Sequence, residues 1–305
     1  MALYKLISPK AFAELLQKET ARRVIPVDST WYLPAWNRDS KKEFLEAERI
    51  PNAVYFDIDA IKDTKSPYPH MAPDLPTFNN AMSQLGLRRD DILVVYDTIG
   101  NFSAPRCAWT LTMFGHEPVY LLNNYPIYKQ AGYPLETTRK ESFTPYSQTE
   151  YNSATNLCPE NTVGYDEILE LVKRNELSKK YNVFDARSLA RFEGRAPEPR
   201  PGLPSGHIPG TQPLPYTEVL DPETKAYPSD PADMEAKLHA AFKRLNDTFD
   251  STKPTIAMCG TGVSGCIIKK ALELAGVKNV KLYDGSWTEW ALRSTDPQWL
   301  AKGRD

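Results

Sequence analysis

The sequence predicts an α/β protein built from two similar units, each with a mainly parallel sheet flanked by helices. Short runs rich in Val, Ile and Tyr alternate with helical patterns along the chain, and the second half repeats landmarks of the first. The length of 305 residues suits about two domains at ~150 residues each. Each unit is therefore large enough to bury a core of its own.

Three landmarks recur, at offsets of 157, 158 and 162 residues. The first is an aspartate that ends a strand-like run, Asp28 and Asp185. The second is an Ile-Pro turn, which begins at Arg49 and at His207. The third is the residue that follows a later apolar run, Asp97 and Cys259. The offset grows where the second half carries the turn-rich insert DPETKAYPSDP. The two halves are therefore predicted to be one domain duplicated.

A polar segment separates the halves. The stretch ETTRKESFTPYSQTEYNSATNLCPEN has no apolar periodicity, which predicts an exposed linker. We place the first domain at residues 1–136, the linker at 137–160 and the second domain at 161–305. Strands that alternate with helices predict parallel sheets covered on both faces, with ligands bound at the carboxyl ends of the strands.

Composition argues against several classes of protein. Lys and Arg (37) balance Asp and Glu (39), so we expect no direct contact with nucleic acid. No apolar run approaches the ~18 residues of a membrane span, and Pro9 and Glu14 interrupt any signal core. We expect a cytoplasmic protein with no membrane partner. The absence of acidic residues before Glu14 leaves a mitochondrial location open.

The cysteines, at positions 107, 158, 259 and 266, show no paired CxxC spacing and no companion cluster of histidines. This pattern favours reduced thiols over a disulfide framework, and we expect neither a metal site nor a cofactor. Cys266, inside a predicted helix, is expected to be a small core residue.

The stretch TIAMCGTGVSGCIIKKALELAG, residues 255–276, supports two hypotheses. From Gly260 it matches the G-x-G-x-x-G fingerprint of dinucleotide-binding proteins, with Asp284 closing the next strand. However, only about twenty residues follow Asp284, too few to complete such a domain. The matching turn of the first half, YDTIGNFSAPR, keeps the pattern with one glycine. The dinucleotide hypothesis is therefore the less favoured one.

The second hypothesis makes Cys259 a nucleophile. A cysteine between a strand and a helix N-terminus lies among unpaired backbone N–H groups at the positive end of the helix dipole, which favours negative charge on sulfur. Glycines in the loop allow those N–H groups to turn inward. A phosphatase would need arginine where Gly265 stands, and nothing local supports a cysteine protease. Thiol chemistry on a soft electrophile, such as sulfur itself, remains.

Four separated motifs resemble the tandem rhodanese-domain sulfurtransferases, especially the 3-mercaptopyruvate branch, over nearly the whole chain. They are the loop CGTGVSGC, GHIPG at 206–210, RFEGRAPEPR at 191–200 and TKSPYPHMAP at 64–73. The resemblance implies two rhodanese-like domains, the first catalytically degenerate and the second carrying the active cysteine. It also implies transfer of a sulfane sulfur from 3-mercaptopyruvate, thiosulfate or both to a thiol, cyanide or protein acceptor, through a persulfide on Cys259.

The resemblance also assigns site residues. Arg191 and Arg200 match the ligands of the donor's carboxylate and keto group, a role that suits the planar guanidinium fork. Arg195 matches no ligand and is expected to be a solvated charge. Asp97 matches the inactive loop of the first domain, since a carboxylate there cannot carry sulfur.

A proton-transfer relay is implied as well. Asp59 and His70 of the first domain match positions joined to a hydroxyl of the active-site loop, which in this chain belongs to Thr261. The remaining residues of that loop are Gly260, Gly262, Val263 and Ser264.

The neutral side chains of Gly260 and Thr261 favour mercaptopyruvate, because thiosulfate-preferring relatives place basic side chains there to meet a compact dianion. Both donors nevertheless stay open. For the acceptor, the resemblance allows a small thiol or a protein, including an E1-like activating protein with its own rhodanese domain that feeds thiolation of tRNA wobble uridines. A non-catalytic rhodanese scaffold is the remaining alternative.

Overall fold

The computed structural model describes residues 4–294 and 296–303. Its first half forms a five-stranded sheet with helices on both faces. The elements are, in chain order, β1 Lys5–Ile7, α1 Pro9–Lys18, β2 Val24–Asp28, α2 Ser40–Glu46, β3 Val54–Tyr55, α3 Leu75–Gln84, β4 Ile92–Tyr96, α4 Ala104–Met113, β5 Val119–Leu122 and α5 Tyr125–Gln130.

The second half forms a second five-stranded sheet. Its elements are α6 Cys158–Asn161, β6 Thr162–Val163, α7 Tyr165–Lys173, α8 Leu177–Lys180, β7 Asn182–Asp185, α9 Leu189–Phe192, β8 Gln212–Pro213, α10 Pro231–Leu245, β9 Thr255–Met258, α11 Gly265–Leu274, β10 Lys281–Tyr283 and α12 Ser286–Arg293. Short 3₁₀ turns span Pro34–Trp36, Tyr216–Glu218 and Pro297–Trp299.

The two sheets have the same topology. Their strand orders are β1-β5-β4-β2-β3 and β6-β10-β9-β7-β8, which coincide when strands are counted within each half, and all the strand pairs are parallel. The strand β4, with sequence ILVVY, is buried along its whole length, as expected when helices cover both faces of a parallel sheet. The predicted α/β class and the duplication are both confirmed.

The two halves meet along α4 and α11, which pack against each other. Every residue of α4 is buried, and so are the first eight residues of α11. The largest apolar cluster runs continuously through both halves and includes Val95 and Leu111 on one side and Ile267 and Leu282 on the other. The start of α11, directly after the loop that carries Cys259, is therefore held against the first half by a shared core.

The segment 137–160 is more closely attached to the first half than its composition predicted. Tyr151 is only 1% exposed, and its N–H donates to Ser83 Oγ at 2.9 Å. The Nδ2 group of Asn79 donates to the carbonyl oxygen of Ser153, which is also buried. The expectation of exposure is therefore wrong for these residues, because side-chain hydrogen bonds satisfy the polar segment where it packs. The domain boundaries stay a prediction.

The turn-rich insert of the second half folds over the first half. Asn124 Nδ2 donates to the carbonyl oxygen of Thr224 at 2.7 Å, and Asn123 exchanges two hydrogen bonds with the backbone of Tyr227. This contact adds a second attachment between the halves, beside the packing of α4 on α11.

Across residues 4–294 and 296–303, no helix has the length and apolar character needed to cross a membrane. In the same two ranges, no group of three or more His, Cys, Asp and Glu side chains is placed to hold a metal ion.

Candidate active site

Cys259 follows the carboxyl end of β9, an inner strand of its sheet, and is 2% exposed. The start of α12 fixes its backbone. The N–H of Cys259 donates to Ser286 Oγ at 3.1 Å, and its carbonyl oxygen accepts from the N–H of Trp287 at 2.9 Å. The carbonyl oxygen of Gly260 accepts from the N–H of Thr288 at 3.0 Å. The cysteine backbone is thus held by bonds that leave its side chain uninvolved.

Two of the loop glycines are required by close packing. Gly262 has φ of 77°, and a Cβ there would lie 2.7 Å from Arg106 Nη1 and 2.8 Å from the carbonyl oxygen of Asp284. A Cβ on Gly265 would lie 3.2 Å from the carbonyl carbon of Met258. These two glycines of the G-x-G-x-x-G pattern therefore have a packing role that involves no nucleotide.

The corresponding turn of the first half surrounds a carboxylate. Asp97, at 1% exposure, accepts five backbone hydrogen bonds at 2.8–3.1 Å. The donors are the N–H groups of Ile99, Gly100, Phe102, Ser103 and Ala104. Burial raises the pKa of Asp97, and the N–H groups oppose that rise by stabilising the anion. This turn is built around a negative charge, and its own carboxylate supplies that charge.

The loop after β9 keeps the same geometry without the carboxylate. Gly100 and Gly262, which are 162 positions apart, both have positive φ. The matching N–H groups, those of Thr261, Gly262, Ser264 and Gly265, make no hydrogen bond within residues 4–294 and 296–303. Backbone donors are therefore available around the position where Cys259 replaces Asp97.

The residues assigned to a relay lie in contact. His70 Nδ1 is 2.9 Å from Thr261 Oγ1, and His70 Nε2 is 2.8 Å from Asp59 Oδ1. Asp59 Oδ2 also accepts from Trp31 Nε1 at 2.9 Å. Burial raises the pKa of Asp59, but the hydrogen bonds from His70 and Trp31 outweigh it and leave the pKa below its ordinary value. The structure thus joins residues from both halves, although 191 positions separate His70 from Thr261.

The positions of the protons in the relay of Asp59, His70 and Thr261 follow from which atoms can accept a hydrogen bond. Burial lowers the pKa of His70, and the Asp59 carboxylate only partly offsets that, which favours the neutral imidazole. An ionised Asp59 can only accept a hydrogen bond, which places the imidazole proton on Nε2. The unprotonated Nδ1 then accepts from the hydroxyl of Thr261.

The two arginines assigned to the donor differ in their surroundings. Arg191 forms an ion pair with Glu198, and its Nη2 would lie 3.3 Å from a Cβ on Gly260. Glu198 is held on its other side by the fully buried Arg187, at 2.8 Å. Arg200, in contrast, makes no hydrogen bond or ion pair with any described residue, and burial lowers its pKa. Arg191 is a positioned cation above the loop, and Arg200 has a guanidinium available for a ligand.

These groups surround a cavity of about 270 Å³ between the halves. The first half contributes Trp31, Leu33 and Phe102, and the second half contributes Ala186, Arg187, Ser188, Arg191, Pro199, Arg200, Tyr216, Cys259, Gly260, Thr261, Val263 and Ser264. Apolar and aromatic side chains of both halves therefore line the cavity together with the loop. Three arginines, Arg187, Arg191 and Arg200, also line it, and no acidic side chain among the described residues does.

Sequence reasoning missed several charged residues that support this site. Arg106 and Asp284 form a buried ion pair between the halves, and Glu198 and Arg187 form the pair behind Arg191. The signal for Arg106 was present, since an arginine in the first turn of the apolar helix α4 must find a buried partner. That partner lies 178 positions away, so local sequence could not identify it.

The predictions for Cys266 as a core residue and Arg195 as a solvated charge are confirmed. Cys266 is fully buried, and burial raises its pKa to about 12. The side chain of Arg195 is 63% exposed and pairs with Glu193.

Comparison with known proteins identifies a family. The model of the rhodanese-like domain matches residues 9–124 and 166–293. The chain is 58% identical over 305 residues to the thiosulfate sulfurtransferase TUM1 of Saccharomyces cerevisiae, with 100% of both chains covered. It is 36% identical to a probable 3-mercaptopyruvate sulfurtransferase of Schizosaccharomyces pombe, covering 94% of this chain and 93% of the relative. It is 35% identical to the mitochondrial thiosulfate/3-mercaptopyruvate sulfurtransferase 1 of Arabidopsis thaliana, covering 89% and 72%.

Solved structures agree. The crystal structure of Tum1 from Saccharomyces cerevisiae superposes with a TM-score of 0.96 at 58% identity over 100% of both chains. The sulfur transferase subunit of yeast mitochondrial complex I gives a TM-score of 0.82 at 35% identity, covering 98% of this chain and 100% of that one. SseA from Escherichia coli, which has the rhodanese fold of 3-mercaptopyruvate sulfotransferases, gives 0.76 at 33% identity, covering 93% and 99%.

Proposed function

This chain belongs to the rhodanese family of sulfurtransferases, and we propose that it carries sulfur as a persulfide on Cys259. The observation that supports this most is the pair of matching turns. One turn surrounds the carboxylate of Asp97 with five N–H groups, and the other presents next to Cys259 N–H groups that have no hydrogen-bond partner among the described residues. Such a turn stabilises an anion, and the sulfur of Cys259 is the group in position to become one.

The first step is a displacement at the outer sulfur of the donor. With 3-mercaptopyruvate, the Cys259 thiolate forms an S–S bond while the C–S bond breaks, and the electron pair of that bond leaves on carbon as the pyruvate enolate. Protonation of this enolate at carbon gives pyruvate. With thiosulfate, the same attack breaks the donor's S–S bond and releases sulfite as a dianion. Only the first reaction requires a proton on its leaving group.

The donor's carboxylate is proposed to bind Arg200 and Arg191. Arg200 makes no ion pair with the described residues, so it can form two hydrogen bonds with a carboxylate, while Glu198 holds Arg191 above Gly260. The variant Arg200→Ala is expected to raise the KM for mercaptopyruvate more than that for thiosulfate. Equal increases in both values would contradict the carboxylate contact.

Thr261, His70 and Asp59 are proposed to supply and reorganise the proton. Of these three residues, Thr261 lines the cavity, and its hydroxyl donates a hydrogen bond to the neutral imidazole of His70. The proton that Cys259 releases on becoming a thiolate is proposed to be held by His70. The Thr261 hydroxyl then gives its proton to the leaving enolate and takes one back from His70 Nδ1, which returns the imidazole to its neutral form while Asp59 stays bonded to the other ring nitrogen.

Intact mass spectrometry tests the persulfide. After treatment with a donor, the protein is expected to gain the mass of one sulfur atom and to lose it on addition of cyanide. Cys259→Ser should abolish the adduct, while the matched variant Cys266→Ser should retain it. An adduct that persists in Cys259→Ser would refute the assignment. A wild-type protein that forms no adduct would instead favour the non-catalytic scaffold.

The dinucleotide-binding alternative has little support. The strand β9 is the fourth of its half, whereas the fingerprint belongs to the first strand of a dinucleotide-binding domain. The second and third glycines of the pattern, Gly262 and Gly265, are accounted for by the contacts with Arg106, Asp284 and Met258.

For the acceptor, we propose a thiol, with an E1-like activating protein that carries its own rhodanese domain as the protein candidate and tRNA wobble-uridine thiolation as the destination. The family resemblance supports this choice. Incubating the persulfidated chain with that purified protein should move one sulfur to it, and Cys259→Ser should transfer none. Discharge to cyanide without transfer to the protein would argue for a small-molecule acceptor.

The proposed location is the cytoplasm, with a second pool in mitochondria. The mitochondrial relative from Arabidopsis thaliana and the complex I subunit of yeast support the second pool. Fractionation of cells that express a C-terminally tagged chain should show both pools. Detection of the tag in only one of the two fractions would contradict the proposal of two pools.

A further inference from the structure

A buried ion pair connects the relay of the first half to the catalytic loop of the second. Arg106, from α4, is 2% exposed and pairs with Asp284, which follows β10. The same guanidinium donates from Nη1 to the carbonyl oxygen of Gly262 at 3.3 Å and from Nη2 to the carbonyl oxygen of His70. One side chain therefore holds the backbone of both residue segments that the relay joins.

Asp284 completes the connection from the other side. Its Oδ2 accepts from the N–H of Ala72 at 2.7 Å, two residues beyond His70, while Oδ1 accepts from Arg106. The segment around His70 is thus fixed at a carbonyl and at an N–H. His70 itself has φ of 62°, a conformation that a non-glycine residue adopts only when its surroundings impose it.

The packing at this connection allows little adjustment. The Arg106 guanidinium lies over the ring of Trp109 at 4.6 Å, and a Cβ on Gly262 would approach its Nη1 to 2.7 Å. A displacement of Arg106 would therefore move Gly262 and His70 together. His70 itself makes the 2.9 Å contact of its Nδ1 with Thr261 Oγ1, and Gly262 is the next residue after Thr261.

We propose that Arg106 and Asp284 are positioning residues, which hold His70 within hydrogen-bonding reach of Thr261 and so couple the degenerate first half to sulfur transfer in the second. Neither residue lines the cavity, so neither touches the donor. This role rests on the proposed persulfide mechanism and extends it. It also gives the first half a catalytic purpose, since that half supplies Asp59 and His70 of the relay and the arginine that positions them.

A purely structural pair would behave differently. If the ion pair only held the halves together, its loss would lower stability and affect both donors alike. If it positions the relay, its loss affects the donor whose leaving group needs a proton. The chain offers a matched control in Asp91, which is also buried, at 1% exposure against 5% for Asp284. Asp91 pairs with Arg23 at 2.6 Å and accepts a backbone N–H from Arg88 at 2.7 Å, within the first half.

The experiment compares Asp284→Asn with Asp91→Asn. For Asp284→Asn, kcat/KM with mercaptopyruvate is expected to fall about tenfold to hundredfold, because small displacements of catalytic groups have effects of this size. With thiosulfate the fall should stay below about threefold, since a dianionic sulfite needs no proton from the relay. Asp91→Asn should lower the melting temperature without separating the two donors. Equal losses with both donors, or the same separation in Asp91→Asn, would overturn the proposal.

A second variant and a second measurement keep the proposal testable if Asp284→Asn does not fold. Arg106→Lys keeps the charge but cannot reach two carbonyl oxygens and Asp284 together, so it should show the same separation of donors. Nitrogen NMR of His70 should report a single Nε2–H tautomer in the wild type and a mixture in either variant. An unchanged tautomer in a folded variant would refute positioning. Absence of a persulfide in the wild type would instead reject the underlying mechanism.

Discussion

Replacing the Thr261 hydroxyl by a methyl group isolates the relay from the rest of the site. Thr261→Val keeps the volume and the β-branch, so the loop should fold as before. It removes the hydrogen bond of 2.9 Å to His70 Nδ1 and leaves that buried nitrogen without a donor. The expected loss of unfolding free energy is about 1–3 kcal/mol, the usual cost of one unsatisfied buried polar group.

The catalytic effect should be larger for one donor than for the other. A positioned general acid contributes about 10²- to 10⁴-fold, and the lower limit corresponds to ~2.7 kcal/mol of transition-state stabilisation. We therefore expect kcat/KM for mercaptopyruvate to fall at least about 100-fold in Thr261→Val. For thiosulfate the fall should stay below about fivefold, because sulfite leaves without a proton.

Steady-state rates with both donors and cyanide as a common acceptor provide the assay. Thr261→Ser is the control, because it restores the O–H and removes only a methyl group, and its rates should lie within about threefold of the wild type. Equal losses with both donors in Thr261→Val would show that Thr261 shapes the loop and transfers no proton. Rates in Thr261→Ser as low as those in Thr261→Val would lead to the same conclusion.

Three further outcomes follow from buried charges. Asp97→Asn should lower the free energy of unfolding by about 3 kcal/mol or more in denaturant titrations. The NH₂ group of the new asparagine would face backbone N–H donors that then lack an acceptor. A loss below about 1 kcal/mol would contradict the anion-binding turn. Burial lowers the pKa of Lys270 to about 8, whereas the value in the unfolded chain is near 10.4. Between these two pH values the folded chain binds fewer protons than the unfolded chain. The free energy of unfolding, relative to that of Lys270→Met, should therefore rise with pH by up to about 1.4 kcal/mol per pH unit. A pH-independent difference would show that Lys270 stays charged through its bond to the Tyr4 carbonyl. Glu198→Gln should raise the KM for mercaptopyruvate about tenfold by releasing Arg191, and an unchanged value would show that Arg191 is held by other contacts.

The fold was predictable because its signals are local and repeated. The all-buried run ILVVY and the alternation of strands with helices indicated a parallel sheet, and three landmarks at a nearly constant offset indicated duplication. The segment 137–160 was less predictable. Its polar composition predicted exposure, whereas hydrogen bonds to Ser83 and Asn79 bury Tyr151 and Ser153 against the first half.

By itself, the sequence determined the class of the fold, the position of Cys259 after a strand and before a helix, and the family that the motifs resemble. The tertiary structure alone decided which groups meet around that cysteine. His70 reaches Thr261 across 191 positions and Arg106 reaches Asp284 across 178, and such pairs form only when the two halves pack along α4 and α11. The physical reason is that strand and helix propensities act over a few residues, whereas a buried charge is satisfied by whichever partner the packing brings within reach.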